Sequence, residues 1–141
     1  MAIKQISAFV ENRQGSLSET IKMIAETGVN MRALSIADTK EFGILRLIVS
    51  DTDKAVEALK NDTIVTTTEV IAVKMDDKEG TLYTILKVLE DAKIDIDYSY
   101  AFTGFEKGAY VIVRVSDVAA AEKVLADQGI KTLNDVDIKE L

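Results

Sequence analysis

The chain contains no cysteine, no histidine, no tryptophan and no proline. Each absence closes a class of function. Without cysteine there is no disulfide framework and no thiol nucleophile. Without histidine there is no imidazole acid–base group, no Ser–His–Asp triad and no His or Cys metal site. No apolar run approaches the ~18 residues that suggest a membrane span. Aromatic residues make up only 6% of the chain. Aspartate and glutamate remain as acids, but they are scattered without a paired pattern. The residues therefore point to no His- or Cys-based chemistry and no cofactor, carboxylates and lysine stay as the remaining reactive groups, and the chain is expected not to be an enzyme.

What is present is an acidic, moderately apolar chain of 141 residues with a net charge of −7. Such a charge disfavours nucleic acid and anionic membranes, because phosphate contacts need lysine and arginine. The Met1–Lys4 start lacks a secretory layout, so a cytoplasmic location is expected.

A short pattern occurs twice. Glu11-Asn12-Arg13-Gln14-Gly15-Ser16-Leu17 returns as Asp76-Asp77-Lys78-Glu79-Gly80-Thr81-Leu82, 65 residues later. The same offset links Val29-Asn30-Met31 to Ile94-Asp95-Ile96, and Val49-Ser50-Asp51 returns as Val115-Ser116-Asp117 at offset 66. One residue is therefore gained around Thr103–Lys107. The repeat divides the chain into halves, 1–68 and 69–141. Alternation predicts strands at 3–10, 30–38, 43–50 and 63–68, and at 69–76, 95–103 and 109–116. Helical spacing predicts helices at 16–27, 52–61, 81–92 and 118–128. The segment 130–139 closes the second unit.

The first helix has a stripe of Leu17, Ile21 and Ile24, and Ser16 with Glu19 reads as a capping box. The third helix carries Leu82, Ile85, Leu86 and Leu89. Gly28 sits where a helix-ending glycine belongs, while Lys93 replaces it in the second copy, so that end is expected to be built differently. No linker separates the halves, so one strand is expected to run almost directly into the next. Each half reads as a βαββαβ unit, giving an α+β fold of two tandem ferredoxin-like sheets with helices on one face.

The glycine turn is the leading site candidate. The N–H groups of Gly15, Ser16 and Leu17 lie at a helix start, where a carboxylate can bind. The amides of Asn12 and Asn30 suit a group bearing ammonium beside carboxylate. The same asparagines equally satisfy their own turns. Tyr98, Tyr100 and Phe102 share a strand face, which lines a cleft or, more commonly, packs the sheet. Asp95 and Asp97 form a weak hard-metal pair or a solvated one.

Lys and Arg number eight against nine acids in the first half, and nine against fifteen in the second. A small carboxylate should therefore prefer the first half.

The segment from Glu11 to Leu17, followed after twelve intervening residues by Asn30, resembles the ACT domain. The resemblance covers essentially the whole chain as two tandem copies. It is nearest to the serine-sensing regulatory domain of phosphoglycerate dehydrogenase. It implies a non-catalytic regulatory protein that binds an amino acid effector and acts on a separate partner enzyme or regulator, and it implies a homodimer. Carried over, the ligand-binding residues are Asn12, Arg13, Gln14, Gly15, Ser16, Leu17, Asn30 and Met31. The weaker second-copy equivalents are Asp77, Gly80, Thr81, Leu82, Asp95 and Ile96. Aspartates at 77 and 95, with Glu79 nearby, repel a ligand carboxylate, so one type of effector site centred on the first half is expected. Gln14 and Glu79 stand where the family often has proline. The competing reading is an interaction or oligomerisation module that uses no ligand.

Overall fold

The computed structural model describes residues 2–38, 41–105 and 108–141. Seven strands and five helices follow in order: β1 (Ile3–Glu11), α1 (Ser16–Ala25), β2 (Met31–Asp38), β3 (Phe42–Val49), α2 (Thr52–Leu59), β4 (Val65–Met75), α3 (Thr81–Asp91), β5 (Ile96–Phe105), β6 (Gly108–Val115), α4 (Val118–Asp127), β7 (Thr132–Leu133) and α5 (Asp135–Lys139). Thr39, Lys40 and the Glu106–Lys107 part of the expected insertion lie outside the described residues. Among the described residues, no helix is long and apolar enough to cross a membrane.

The chain divides into two compact units. One is Lys4–Thr68 with Ile138–Glu140, and the other is Glu69–Asp137 with the first residues through Ile3 and Leu141. In the first unit the strands run β2-β3-β1-β4, and in the second β7-β4-β6-β5. Both are the antiparallel βαββαβ order of a ferredoxin-like unit. β4 is uninterrupted for eleven residues, and the boundary at Thr68 falls inside it.

Period-two alternation sends one face of each strand to the helices. In the first unit Ile6, Ala8 and Val10 of β1 meet Leu45, Leu47 and Val49 of β3. Ile24 of α1 and Ala55 and Leu59 of α2 cover them. In the second unit Ile71, Val73, Val111, Val113 and Val115 lie under Ile85, Leu89, Ala121 and Leu125. Each fully buried aliphatic side chain contributes roughly 1.5–3 kcal/mol relative to exposure. Leu17 and Leu82, placed on the helix stripes by spacing, are instead exposed. The inward line of α1 is Ser16, Thr20 and Ile24, a period of four that starts one residue earlier.

The capping box at Ser16 does not form. Gly15 is the cap residue, with φ +87° and no side-chain hydrogen bond, and Ser16 is already helical. Gly80 repeats this geometry at φ +81°. A left-handed backbone here needs glycine, which explains why the glycine recurs. Side-chain caps occur instead on the second helix of each unit. Asp51 accepts from the Lys54 N–H (3.2 Å) and Asp117 from the Ala120 N–H (3.1 Å).

Lys93 keeps the left-handed turn of the helix end, while the bonds around it differ: the Ile94 N–H donates to the Leu89 carbonyl at 3.0 Å, where the Val29 N–H donates to Thr27 Oγ1 at 3.2 Å. The lysine takes the turn itself, at φ 60°, where Gly28 has φ 79°. Its N–H bonds to the Glu90 carbonyl as that of Gly28 bonds to Ala25. A lysine there carries backbone strain that glycine avoids.

The closing segment also differs from a simple strand. β7 is only two residues long, paired through Ala72 with Leu133 and Val73 with Thr132. Asn134 then starts α5. Its Oδ1 accepts from the Asp137 N–H and its own N–H donates to Asp137, both at 2.9 Å. This reciprocal cap ends the strand early.

Candidate functional site

The turn between β1 and α1 opens onto a cleft of about 570 Å³ contained within the first unit. Three stretches make it. The end of β1 gives Phe9, Val10 and Glu11, the buried side of α1 gives Ser16, Thr20 and Met23, and the run into β4 gives Asp62, Thr63 and Ile64. The last stretch is held in place by the Phe9 N–H, which donates to the Ile64 carbonyl at 3.0 Å. Phe42, paired with Glu11 across β1 and β3, also lines the cleft.

Of the residues expected to bind a ligand, the cleft gathers Arg13 and Ser16. Ser16 is only 5% exposed, and its Oγ is buried without a hydrogen-bond partner among the described residues. Thr20, one turn on, is satisfied by donating to the Ser16 carbonyl at 3.0 Å. A buried hydroxyl with no partner costs about 1–3 kcal/mol.

Arg13 is less available than its place in the turn suggested. Its Nε donates to Glu11 at 3.0 Å and its Nη2 to Glu19 at 3.2 Å. These hydrogen bonds, first to Glu11 and then to Glu19, push its pKa above the ordinary arginine value. Gln14, Gly15 and Leu17 are exposed beside the cleft and outside its lining.

Asn12 and Asn30 are not brought together within the unit. Glu11 pairs with Phe42 at one end of β3, and Met31 pairs with Val49 at the other. Seven steps of a strand separate these ends by roughly 23 Å. The Asn12 N–H donates to the Glu41 carbonyl at 3.0 Å. At the far end, the Asn30 N–H donates to Ser50 Oγ at 3.0 Å, and the Ser50 N–H returns to the Asn30 carbonyl at 2.9 Å. A single ligand cannot touch both asparagines of one unit, and Met31 lies at the Asn30 end. The physical reason is that α1 carries the chain back along the sheet before β2 begins.

The second unit has a corresponding cleft of about 370 Å³, lined in part by Lys74, Asp76, Thr81 and Lys131. Thr81 stands at the position of Ser16, and Asp76 at that of Glu11. Gly80, Asp77 and Leu82 belong to the adjoining turn but not to the lining, and Asp95 and Ile96 follow the far end of α3. Asp95 repeats the Asn30 arrangement, with its N–H donating to Ser116 Oγ at 3.3 Å. An acid and an amide fill the same place because the backbone carries the contact. The local charge reverses the expectation from the halves. The first cleft holds Glu11, Glu19, Glu26 and Asp62 against Arg13 and Lys22. The second holds Asp76 against Lys74 and Lys131.

The aromatic stripe packs the second sheet. Phe102 lies opposite Tyr110 and stacks on it with ring centroids 5.1 Å apart, and Tyr100 lies opposite Ile112. Burial, then Asp137, raises the Tyr110 pKa above the ordinary tyrosine value. Asp95 and Asp97 are exposed, and no group of three acids gathers as a metal site among the described residues.

Sequence reasoning missed Phe9, Phe42, Thr20 and the 62–64 segment. Phe9 and Phe42 sit at strand ends, and only the β1–β3 register brings them together. No local signal marks Asp62 or Ile64.

A family profile describing an ACT domain pair matches residues 1–141. No curated protein matches the chain significantly. Among solved structures, protein BT0572 from Bacteroides thetaiotaomicron is 37% identical. The match covers 100% of this chain and 98% of that one, with a TM-score of 0.93. The ligand-free regulatory subunit of aspartate kinase from Thermus thermophilus shares the fold at 12% identity. That match covers 88% and 91% of the two chains, with a TM-score of 0.62. These similarities carry the pairing of domains, and not the finer likeness to the serine-sensing domain. The doubled ferredoxin-like unit, its repeated glycine turn and the full-length match agree: the chain belongs to the ACT family, as a tandem pair of ACT domains.

Proposed function

We propose that this pair of ACT domains, halves 1–68 and 69–141, is a non-catalytic regulatory module. It senses a small effector of the amino acid class and passes its occupancy to a separate protein partner. The observation that carries this reading is the buried Ser16 hydroxyl without a partner, set in the wall of the cleft at the β1–α1 turn. A structural serine in that position would be expected to have found a bond. The sparse acid–base chemistry of the chain fits a sensor better than a catalyst.

The homodimer belongs to the same proposal. β2 is the outer strand of its sheet, and it exposes Leu34 (51%) and Ile36 (45%) without a lysine or proline to blunt it. Antiparallel pairing of two copies about Ser35 sets Leu34 opposite Ile36. It also carries Asn30 of one copy towards the Glu41–Asn12 end of the other, uniting the asparagines that one unit keeps apart. The outer strand of the second unit has Ser99 and Ala101 at the matching positions, a poorer apolar edge.

A thermal-shift screen of the twenty amino acids tests the reading. A ligand at 100 times its Kd stabilises by about 2.7 kcal/mol. Stabilisation by at least one, lost in Ser16→Val, is the expected result. No shift and no calorimetric binding from any of them would overturn it. Sedimentation of Leu34→Lys/Ile36→Lys, expected to be monomeric beside a dimeric parent, tests the edge.

A further inference from the structure

We infer that the first-unit cleft selects an organic cation: a small ligand with an ammonium group on an apolar chain, in place of a simple carboxylate. This rests on the reading of that cleft as the effector site and narrows the chemistry it accepts.

Three observations converge. First, the acids exceed the bases in the lining, and they are unevenly satisfied. Glu11 and Glu19 share the one guanidinium of Arg13, and Glu26 faces Lys22 at 3.8 Å. Asp62 has no ion-pair partner among the described residues. A carboxylate entering here meets net repulsion, whereas an ammonium group completes the charge balance. Second, Phe9 and Phe42 line the cleft with 42% and 44% of their surface exposed. Aromatic residues beside carboxylates suit an organic cation, since an aromatic ring attracts positive charge and its body takes apolar chain. Third, the Ser16 hydroxyl is more than nine-tenths buried, has no partner and forms part of the same wall. Its oxygen can accept an N–H donor once the side chain turns about its single rotor.

The second unit provides an internal contrast. The same cleft there has Lys74 where the first has Phe9, and Lys131 adds a second positive charge. The lysines lie directly opposite one another, the Lys74 N–H donating to the Lys131 carbonyl at 2.9 Å. One fold position therefore carries opposite charge preferences in its two copies, and only the first suits a cation.

The test uses the full chain and two probes of matched length, 1,5-diaminopentane and glutarate, at equal ionic strength in thermal-shift and calorimetric titrations. The diamine is expected to raise the melting temperature, and glutarate is not expected to act through the first cleft. Asp62→Asn should weaken the diamine about fivefold, the scale of one close charge contact in water. Phe9→Leu should also weaken it. Asp97→Asn removes the same charge on an exposed strand of the second unit and should leave binding unchanged. Circular dichroism confirms that each variant is folded. Equal effects of Asp62→Asn and Asp97→Asn would mean that the diamine answers only to net charge, and would overturn the inference. Binding of uncharged or acidic amino acids, abolished by Ser16→Val, with no response to the diamine, overturns the cation preference alone. No binding of any amino acid or of the diamine overturns the effector site as well.

Discussion

Ser16→Ala separates a ligand-waiting hydroxyl from a structural one, because the two roles predict opposite signs. In the free protein, Oγ is buried and unpartnered. Alanine removes that oxygen while keeping Cβ, so the desolvation cost disappears and almost no packing is lost. The unmade bond costs about 1–3 kcal/mol, and the lower end suits a hydroxyl beside an open cleft. Alanine at the first helical position adds a few tenths of a kcal/mol in helix propensity. The free variant should therefore be more stable by about 1 kcal/mol, a rise in Tm of about 3 °C for a chain of this size. With effector present the order reverses. The hydroxyl's hydrogen bond to ligand is worth about 0.5–1.5 kcal/mol, so the variant binds several-fold more weakly and its ligand-induced shift shrinks. Urea unfolding with and without ligand measures both arms. A helix-capping serine would instead lose about 0.5–2 kcal/mol on substitution. A destabilised free variant whose ligand shift is unchanged would refute the reasoning.

Three further outcomes follow from local geometry. Lys93→Gly relieves the left-handed lysine at φ 60° and should stabilise the second unit by up to about 1 kcal/mol, read as a raised urea midpoint. Asn134→Ala breaks the reciprocal cap with Asp137 and should cost about 1 kcal/mol, with loss of α5 amide protection in hydrogen exchange. Tyr110 should ionise above the ordinary tyrosine range, because burial favours its neutral form and Asp137 adds to the effect. Its folded pKa lies above the unfolded value near 10, so its contribution is complete below about pH 10 and is lost as pH rises through the folded pKa. Tyr110→Phe should remove a phase that lies above the ordinary tyrosine range from an ultraviolet titration, and an unchanged curve would contradict the burial argument.

The fold was legible because its signals are local and doubled. Period-two strands, helical stripes and the glycine turns at Gly15 and Gly80 each state their own structure, and repetition at a fixed offset assembles them. The same locality explains the misses. Ser16 and Glu19 satisfy the spacing of a capping box, yet the left-handed Gly15 supplies the helix start and leaves the serine inside it. Lys93 looks like a different ending, and the bonds around it do change, but the lysine keeps the left-handed turn at φ 60° and accepts the strain. Asn12 and Asn30 look like one site because they flank one helix, although a helix of ten residues separates its two ends across the sheet. The cleft itself depends on three distant stretches, so Asp62 and Ile64 had no signature. Charge counted over the first half pointed to a carboxylate, but only the cleft shows that the side chains lining it carry more acids than bases.

The most direct measurement is an amide chemical-shift titration of the isotopically labelled full chain with the best-binding amino acid from the screen. The account predicts saturating shifts clustered at residues 9–20, at Phe42 and at 62–64, with smaller changes around Lys74, Thr81 and Lys131. Saturating shifts confined to the second unit, or none that saturate, would contradict a ligand site at the first glycine turn.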